Sequence, residues 1–274
     1  MLEWADAQHR ERTDDAVSAQ ELLAEFDRRI RLEARPDGPG AVVERVGGVI
    51  RQTAPAPGWN AVLWSDLDEA GADPAIAAQI AHYTAFGQDF EWKLYAHDRP
   101  ADLGVRLLAA GFTAEPQEAL MIAPVVEQQT EVVLPEGIEL RPVTGPAEVE
   151  LMAEVHRLAF GSDPARFRER LLEALEKSPD TVFAVLAMAG DRPVSAARME
   201  LCPGTGFAGL WGGGTVTDWR GRGIYRALIA HRARIAAALG YRYLQVDASD
   251  NSRPILTRLG FTQAGSTTPY QYQV

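Results

Sequence analysis

Apolar positions in this chain recur at two periods, and their order predicts strands and helices that alternate through the sequence twice. Over 16–34, Leu22, Leu23, Phe26 and Ile30 share one face of a helix, which the Gly/Pro-rich stretch 35–40 closes. Segments 41–51 and 61–67 are rich in Val, Ile and Leu and read as strands around the loop TAPAPGWN. Ile76, Ile80 and Tyr83 predict a helix over 74–86, FEWKLYA at 90–96 a strand, 101–110 a short helix ending at Gly111, and 119–123 one more strand. A mostly polar linker follows at 124–135. Beyond it the pattern predicts a strand at 138–143, helices at 146–160 and 165–177, and a hairpin of 181–189 with 193–201. Leu210, Trp211 and Val216 then lead in as a strand made irregular by Gly212, Gly213 and Gly214. A helix runs on to Leu239, followed by a strand at 241–246, a short helix at 253–259 and a closing pair of strands at 261–266 and 270–274.

The two halves echo each other. LYAHDRPADLGVRLLAAGFTA (94–114) and LQVDASDNSRPILTRLGFTQA (244–264) both give a strand, a Pro-containing turn, a Leu-rich helix and a Gly-Phe-Thr exit. The chain therefore reads as two copies of one α/β unit, at 1–126 and 136–274. With 274 residues it has room for both.

Charge separates the halves. Residues 1–125 carry 11 basic and 21 acidic groups and 126–274 carry 16 and 17, within a total of −11. Overall acidity excludes nucleic acid as an expected partner. No apolar run is long enough to span a bilayer, and MLEWADAQHRERTDD lacks a signal-peptide core, so no membrane partner is expected and a cytoplasmic location is. The single cysteine, Cys202, excludes an internal disulfide and a multi-cysteine metal site; no histidine pair has metal-ligand spacing. No metal is expected.

The exception to the acidity is 218–258, with eight arginines against three aspartates. It opens in TVTDWRGRGIYRAL (215–228), where a strand, a glycine turn and a helix start make an anion site. The first amides of a helix lack partners, the dipole is positive there, and glycines admit a ligand to the main chain. Arg220, Arg222 and Arg226 add charge, whereas Arg232 and Arg234 are expected to face solvent on the helix.

Arg220, Gly223 and their spacing resemble R-x-x-G-x-G/A, the coenzyme A pyrophosphate loop of the GNAT superfamily of N-acetyltransferases, with Tyr225 where glycine or alanine is usual. The order of elements over 137–274, the VDAS strand end and RLGF carry the same resemblance, and the first half resembles a degenerate copy without the loop. The resemblance implies an α/β fold of α+β type: two GNAT-like units, each a mixed, mostly antiparallel twisted sheet flanked by helices. It implies acetyl-CoA as co-substrate and a primary amine of a small molecule or peptide as acceptor, attacking the acetyl carbonyl directly.

On that resemblance, main-chain groups of Thr215, Val216 and Thr217 meet the pantetheine. The N–H groups of Gly221, Arg222, Gly223, Ile224, Tyr225 and Arg226, beside the Arg220 side chain, hold the pyrophosphate. Asn251 either contacts the cofactor or caps the next short helix. The family's tyrosine acid is replaced by Leu256 in ILTRLGF, which leaves Tyr225 and Tyr270 as candidate acids, with Tyr272 behind them. Tyr225 is expected along the groove. Glu200 is the candidate base, or else the ion-pair partner of Arg198 two residues away. Glu154 and His156 lie on the helix expected near the acceptor, and His97 reaches it only if the halves face each other. A non-catalytic acyl-CoA binding or sensing module, and a tandem transferase resembling mycothiol synthase, remain open beside the amine acetyltransferase.

Overall fold

The structure, a computed structural model, describes residues 17–161 and 163–274. The start of the predicted first helix at Ala16 and the N-terminal segment before it lie outside the described residues. Helix α1 (Ala19–Phe26) begins at a capping box in which Ser18 and Glu21 satisfy each other's main-chain N–H groups, and it continues as a π-helical stretch, Asp27–Leu32. The remaining helices are α2 (Ala72–Ala85), α3 (Leu103–Ala109), α4 (Pro146–Phe160), α5 (Ala165–Lys177), α6 (Ile224–Ala238) and α7 (Arg253–Arg258).

The strands are β1 (Val42–Val46), β2 (Val49–Thr53), β3 (Ala61–Ser65), β4 (Phe90–Tyr95), β5 (Thr113–Ala114), β6 (Glu118–Pro124), β7 (Ile138–Pro142), β8 (Val182–Ala189), β9 (Arg192–Cys202), β10 (Phe207–Thr215), β11 (Tyr243–Ala248) and β12 (Thr262–Tyr272). They join into one sheet ordered β1-β2-β3-β4-β12-β6-β11-β10-β9-β8-β7, with β5 beside β12. Two pairs are parallel, β3 with β4 and β10 with β11; every other pair of strands is antiparallel. The predicted mixed, mostly antiparallel architecture is present.

Two strand expectations are corrected. The single strand expected at 41–51 is a hairpin, because Gly47 and Gly48 form its two-residue turn between β1 and β2. The closing pair expected at 261–274 is the single strand β12, whose direction carries through Gly265 as a register shift instead of a turn.

That strand interlocks the halves. Its first part, Thr262–Thr267, pairs with Ile122–Glu118 of β6, and its second, Thr267–Tyr272, pairs with Tyr95–Phe90 of β4. β6, from the first half, lies between β12 and β11, both from the second. Each half thus completes its sheet with a strand of the other. The core follows suit: Ala119, Met121, Ala123 and Val125 pack with Leu210, Ile229, Ala233, Leu244 and Leu256 under α6 and α7. Leu120 and Ile122, on the opposite face of β6, pack with Leu22 and Phe26 of α1 and with Phe207 and Tyr243. Helices α4 and α5 cover the same face as α1 further along the sheet, over Val182, Ala184 and Leu186.

Candidate functional site

The parallel pair β10–β11 holds together only where Phe207, Ala208 and Gly209 meet Tyr243, Leu244 and Gln245. Beyond that point the strands part. One wall of the slot is a bulge in β10 between Trp211 and Gly214, on the glycine triplet that made this strand look irregular. Gly212 has a left-handed φ of 59°. A Cβ at Gly213 would sit 2.9 Å from the Tyr225 ring, and one at Gly214 2.8 Å from the Phe160 ring. The bulge is clamped from both faces.

After the bulge, Val216 donates its N–H to the Val194 carbonyl at 2.9 Å, and its own carbonyl accepts from Trp219 N–H at 2.9 Å. The main chain of Val216 is therefore committed to the scaffold. Alternation turns the Thr215 main chain away from β9, towards the slot. The Thr215 side chain is held by Ser195, hydroxyl to hydroxyl at 2.8 Å. Thr217 opens a 3-10 turn, Thr217–Trp219, that leads into the glycine loop.

Gly221 and Gly223 have φ of 74° and 85°. Nothing crowds a Cβ at Gly221, so conformation is what calls for glycine there. Gly223 is the N-cap of α6 and offers no side-chain cap. The first-turn amides of Ile224, Tyr225 and Arg226 have no carbonyl to reach within their own helix. Arg220 is a brace: its Nε donates to the Thr215 carbonyl at 3.0 Å and its Nη2 to the Ala159 carbonyl at 3.2 Å. Arg222 lies with its guanidinium 4.6 Å from the centre of the Trp219 ring, and both it and Arg226 are exposed. Asn251 is exposed and leaves its neighbour Ser252 as the N-cap of α7, so its amide remains available. These groups form a cradle for a phosphate-bearing, extended ligand: exposed cations, uncapped amides, and a slot leading from them into the sheet.

Tyr225 packs against Gly213 and the core below, and burial raises its phenol pKa. Arg232, expected on the solvent side, is instead buried at 1% exposure. Its Nε donates to the Leu228 carbonyl at 3.0 Å and its Nη1 to the Arg198 carbonyl at 3.0 Å, while Nη2 has no hydrogen-bond partner among the described residues. Burial lowers its pKa to about 10, so it stays charged at neutral pH. Its charge pointed to solvent, but the position is buried and two main-chain carbonyls, one in its own helix and one on β9, accept from the guanidinium.

The face of the sheet between α1 and α4–α5 carries a polar floor. Glu200, Gly209 and Gln245 stand in one row, and Arg198 and Trp211 in the next, with Asp247 beyond on β11. Glu200 and Arg198 form the ion pair that their spacing allowed, at 2.9 Å. Lys93 reaches over from β4 to Asp247 at 2.6 Å, with its ammonium 5.9 Å from the centre of the Trp211 ring. Gln245 donates to the other Asp247 oxygen at 3.1 Å. Lys93, Asp247, Trp211 and the nearby Glu118 were not among the sequence candidates. Lys93 and Trp211 carried a signal as residues inside predicted strands, and Asp247 as part of the VDAS strand end; nothing local marks them as neighbours.

The other candidates fall elsewhere. Tyr270 belongs to the core of the first half, opposite Trp92, three strands from β10, so the slot does not contain it. Tyr272 packs in the same cluster. His97 binds Asp27 at 2.7 Å and fastens α1 to β4, with Arg31 and Asp98. His156 stacks on Phe167 at 4.8 Å, and burial lowers its pKa. Glu154 pairs with Arg157 on the surface. Burial pushes the Cys202 thiol up to about 12, which leaves no thiolate for nucleophilic work. Leu256 is fully buried in the core under α7. Among the described residues no group of three or more His, Cys, Asp or Glu side chains is placed to hold a metal ion, and no helix is long and apolar enough to cross a membrane.

The profile of the Acetyltransferase (GNAT) family matches residues 149–261, which include β10, the glycine loop and α6. No curated protein matches the chain. Among solved structures, the chain is similar to a GCN5-related N-acetyltransferase from Kribbella flavida, at 16% identity and a TM-score of 0.66 over 93% of this chain and 96% of that one. It is similar to a tandem GNAT protein from the clavulanic acid biosynthesis pathway, at 12% identity and a TM-score of 0.58 over 94% and 97%. A GCN5-related N-acetyltransferase from Sphaerobacter thermophilus follows at 15% identity and 0.58, over 94% and 86%. At these identities the likenesses speak to the fold, and they extend over both halves.

Proposed function

Starting from residues 149–261 as a GNAT-family acetyltransferase domain, in a chain that has the tandem fold throughout, we propose that the protein transfers an acetyl group from acetyl-CoA to a primary amine of a small molecule or peptide. The observation that carries this reading is the uncapped N-terminus of α6, with its two left-handed glycines, at the mouth of the β10–β11 slot. The amides of Gly221, Arg222, Gly223, Ile224, Tyr225 and Arg226 hold the pyrophosphate, with Arg222, Arg226 and Asn251 around it and Arg220 bracing the loop. Thr215, whose carbonyl is braced by Arg220, offers its main-chain N–H to the pantetheine arm; Val216 and Thr217 shape the entry. The thioester supplies the activated acyl carbon, and the protein orients the amine against it on the polar floor.

Calorimetric titration with acetyl-CoA tests the reading directly: absence of binding heat together with an unchanged melting temperature would sink it. Gly223→Val forces a β-branched side chain into a left-handed conformation, a strain of about 1–3 kcal/mol. It is expected to weaken acetyl-CoA binding about tenfold or more. The buried Leu256 and the Glu200–Arg198 ion pair favour a second reading, an acyl-CoA binding module without turnover. Binding without thiol release across a broad panel of primary amines would select it.

A further inference from the structure

Glu118 opens β6 on the face of the polar floor, at period two from Leu120 and Ile122. It stands one strand over from the slot, just past the pairing of Ala119 with Ala248 at the end of β11. The other carboxylates of this floor are committed: Asp247 to Lys93 and Gln245, Glu200 to Arg198, and Glu91 to Trp59 at 3.2 Å and Gln271 at 3.4 Å. Glu118 is half-buried and takes neither a hydrogen bond nor an ion pair among the described residues.

We propose that Glu118 is the proton acceptor for the incoming amine, a catalytic group that the first half lends to the second on the exchanged strand β6. The inference rests on the transferase reading above. The Glu118 carboxylate takes one proton from the ammonium form of the acceptor, and the freed nitrogen lone pair attacks the thioester carbonyl carbon. The C–S bond breaks with its electron pair on sulfur, the second nitrogen proton passes through solvent to the thiolate, and Glu118 returns its proton to water. The products are the amide and free coenzyme A.

The electrostatics suit the task. Burial is the largest influence on Glu118; the Lys93 charge opposes it, the Asp247, Glu91 and Glu115 charges reinforce it, and the pKa is raised to about 7. A base poised there is half-ionised at neutral pH and can take a proton from the approaching ammonium ahead of the attack.

The test is Glu118→Gln, read by acetyl-CoA calorimetry, by thiol release with 1,4-diaminobutane and a panel of other primary amines, and by thermal melting. Acetyl-CoA affinity is expected to stay at the wild-type value. Turnover falls about 10²–10⁴-fold, and the rise of kcat with pH near 7 disappears. The melting readout has a definite sign. A carboxyl whose folded pKa is raised contributes stability that is complete below its unfolded value of about 4.3 and is lost as pH rises through its folded value. Glu118→Gln is therefore expected to melt above the wild type at about pH 8, as a strained functional group does when removed. Unchanged turnover, a persisting limb near pH 7, or a lower melting temperature at that pH would each overturn the inference. A wild type that binds no acetyl-CoA, or turns over no amine, fails earlier, at the transferase reading, and takes the inference with it.

Discussion

Expressed without its first 135 residues, the second half is expected to yield no cooperative thermal transition. The reason is β6. In the whole chain it fills the gap between β11 and β12, pairing Tyr243–Ala248 on one side and Thr262–Thr267 on the other. Without it, β11 becomes a bare edge, and the far part of β12 also loses its pairing with β4. Leu120, Met121, Ile122 and Val125 are each no more than 2% exposed. Removing four such side chains forfeits about 1.5–3 kcal/mol apiece, a sum comparable to the whole stability of an ordinary domain, about 5–15 kcal/mol. Co-expression of 1–135 with 136–274 is expected to restore a soluble, cooperatively melting pair, because the exchanged strands can then find their places. A sharp melting transition from 136–274 alone would show that the exchanged strand is dispensable.

What the sequence made legible, and what it hid, divides along the same line. The glycine–arginine loop was readable because its chemistry is local: Gly221, Gly223 and the start of an apolar helical pattern lie within a few residues of one another. The triplet Gly212, Gly213 and Gly214 announced an irregular strand, and the bulge is there. The echo between 94–114 and 244–264 pointed to a repeated unit, and both halves do contain a parallel pair that parts, β3–β4 and β10–β11.

Strand exchange left no such mark. Period-two alternation says that 119–123 is a strand, but it is silent on which strand lies beside it. Tyr270 was a reasonable candidate while β12 was read as two strands closing the second half; as one strand it carries Tyr270 into the first. The charge of Arg232 points to solvent, whereas the Arg198 carbonyl, on a strand 34 residues away in sequence, gives it a buried acceptor. Lys93 and Asp247 are 2.6 Å apart in space and more than half the chain apart in sequence. The polar floor consists largely of such pairings, and so the loop could be read from the sequence while the floor could not.

Lys93→Met is expected to be among the most costly single substitutions in the protein. The Asp247 side chain is 1% exposed and the Lys93 side chain 13%. Burial disfavours the Lys93 ammonium, but the Asp247 charge, helped by Tyr95 and Glu91, outweighs it and raises the pKa. The stability this provides is complete below the unfolded lysine value of about 10.4 and is lost only as pH climbs through the higher folded value, so the pair is fully formed at neutral pH. Taking away one partner leaves a buried charge uncompensated, at a cost of about 3–5 kcal/mol. Lys93→Met combined with Asp247→Asn is expected to recover much of that loss in urea unfolding, since no charge is then stranded. The same pair brackets Glu118 electrostatically, because the Lys93 charge holds its pKa down and the Asp247 charge pushes it up. The limb of kcat near pH 7 should accordingly move to higher pH in Lys93→Met and to lower pH in Asp247→Asn. A general loosening of the fold would move both in one direction or abolish activity in both. Opposite shifts are the result expected if Glu118 is the titrating group, and parallel shifts would reject it.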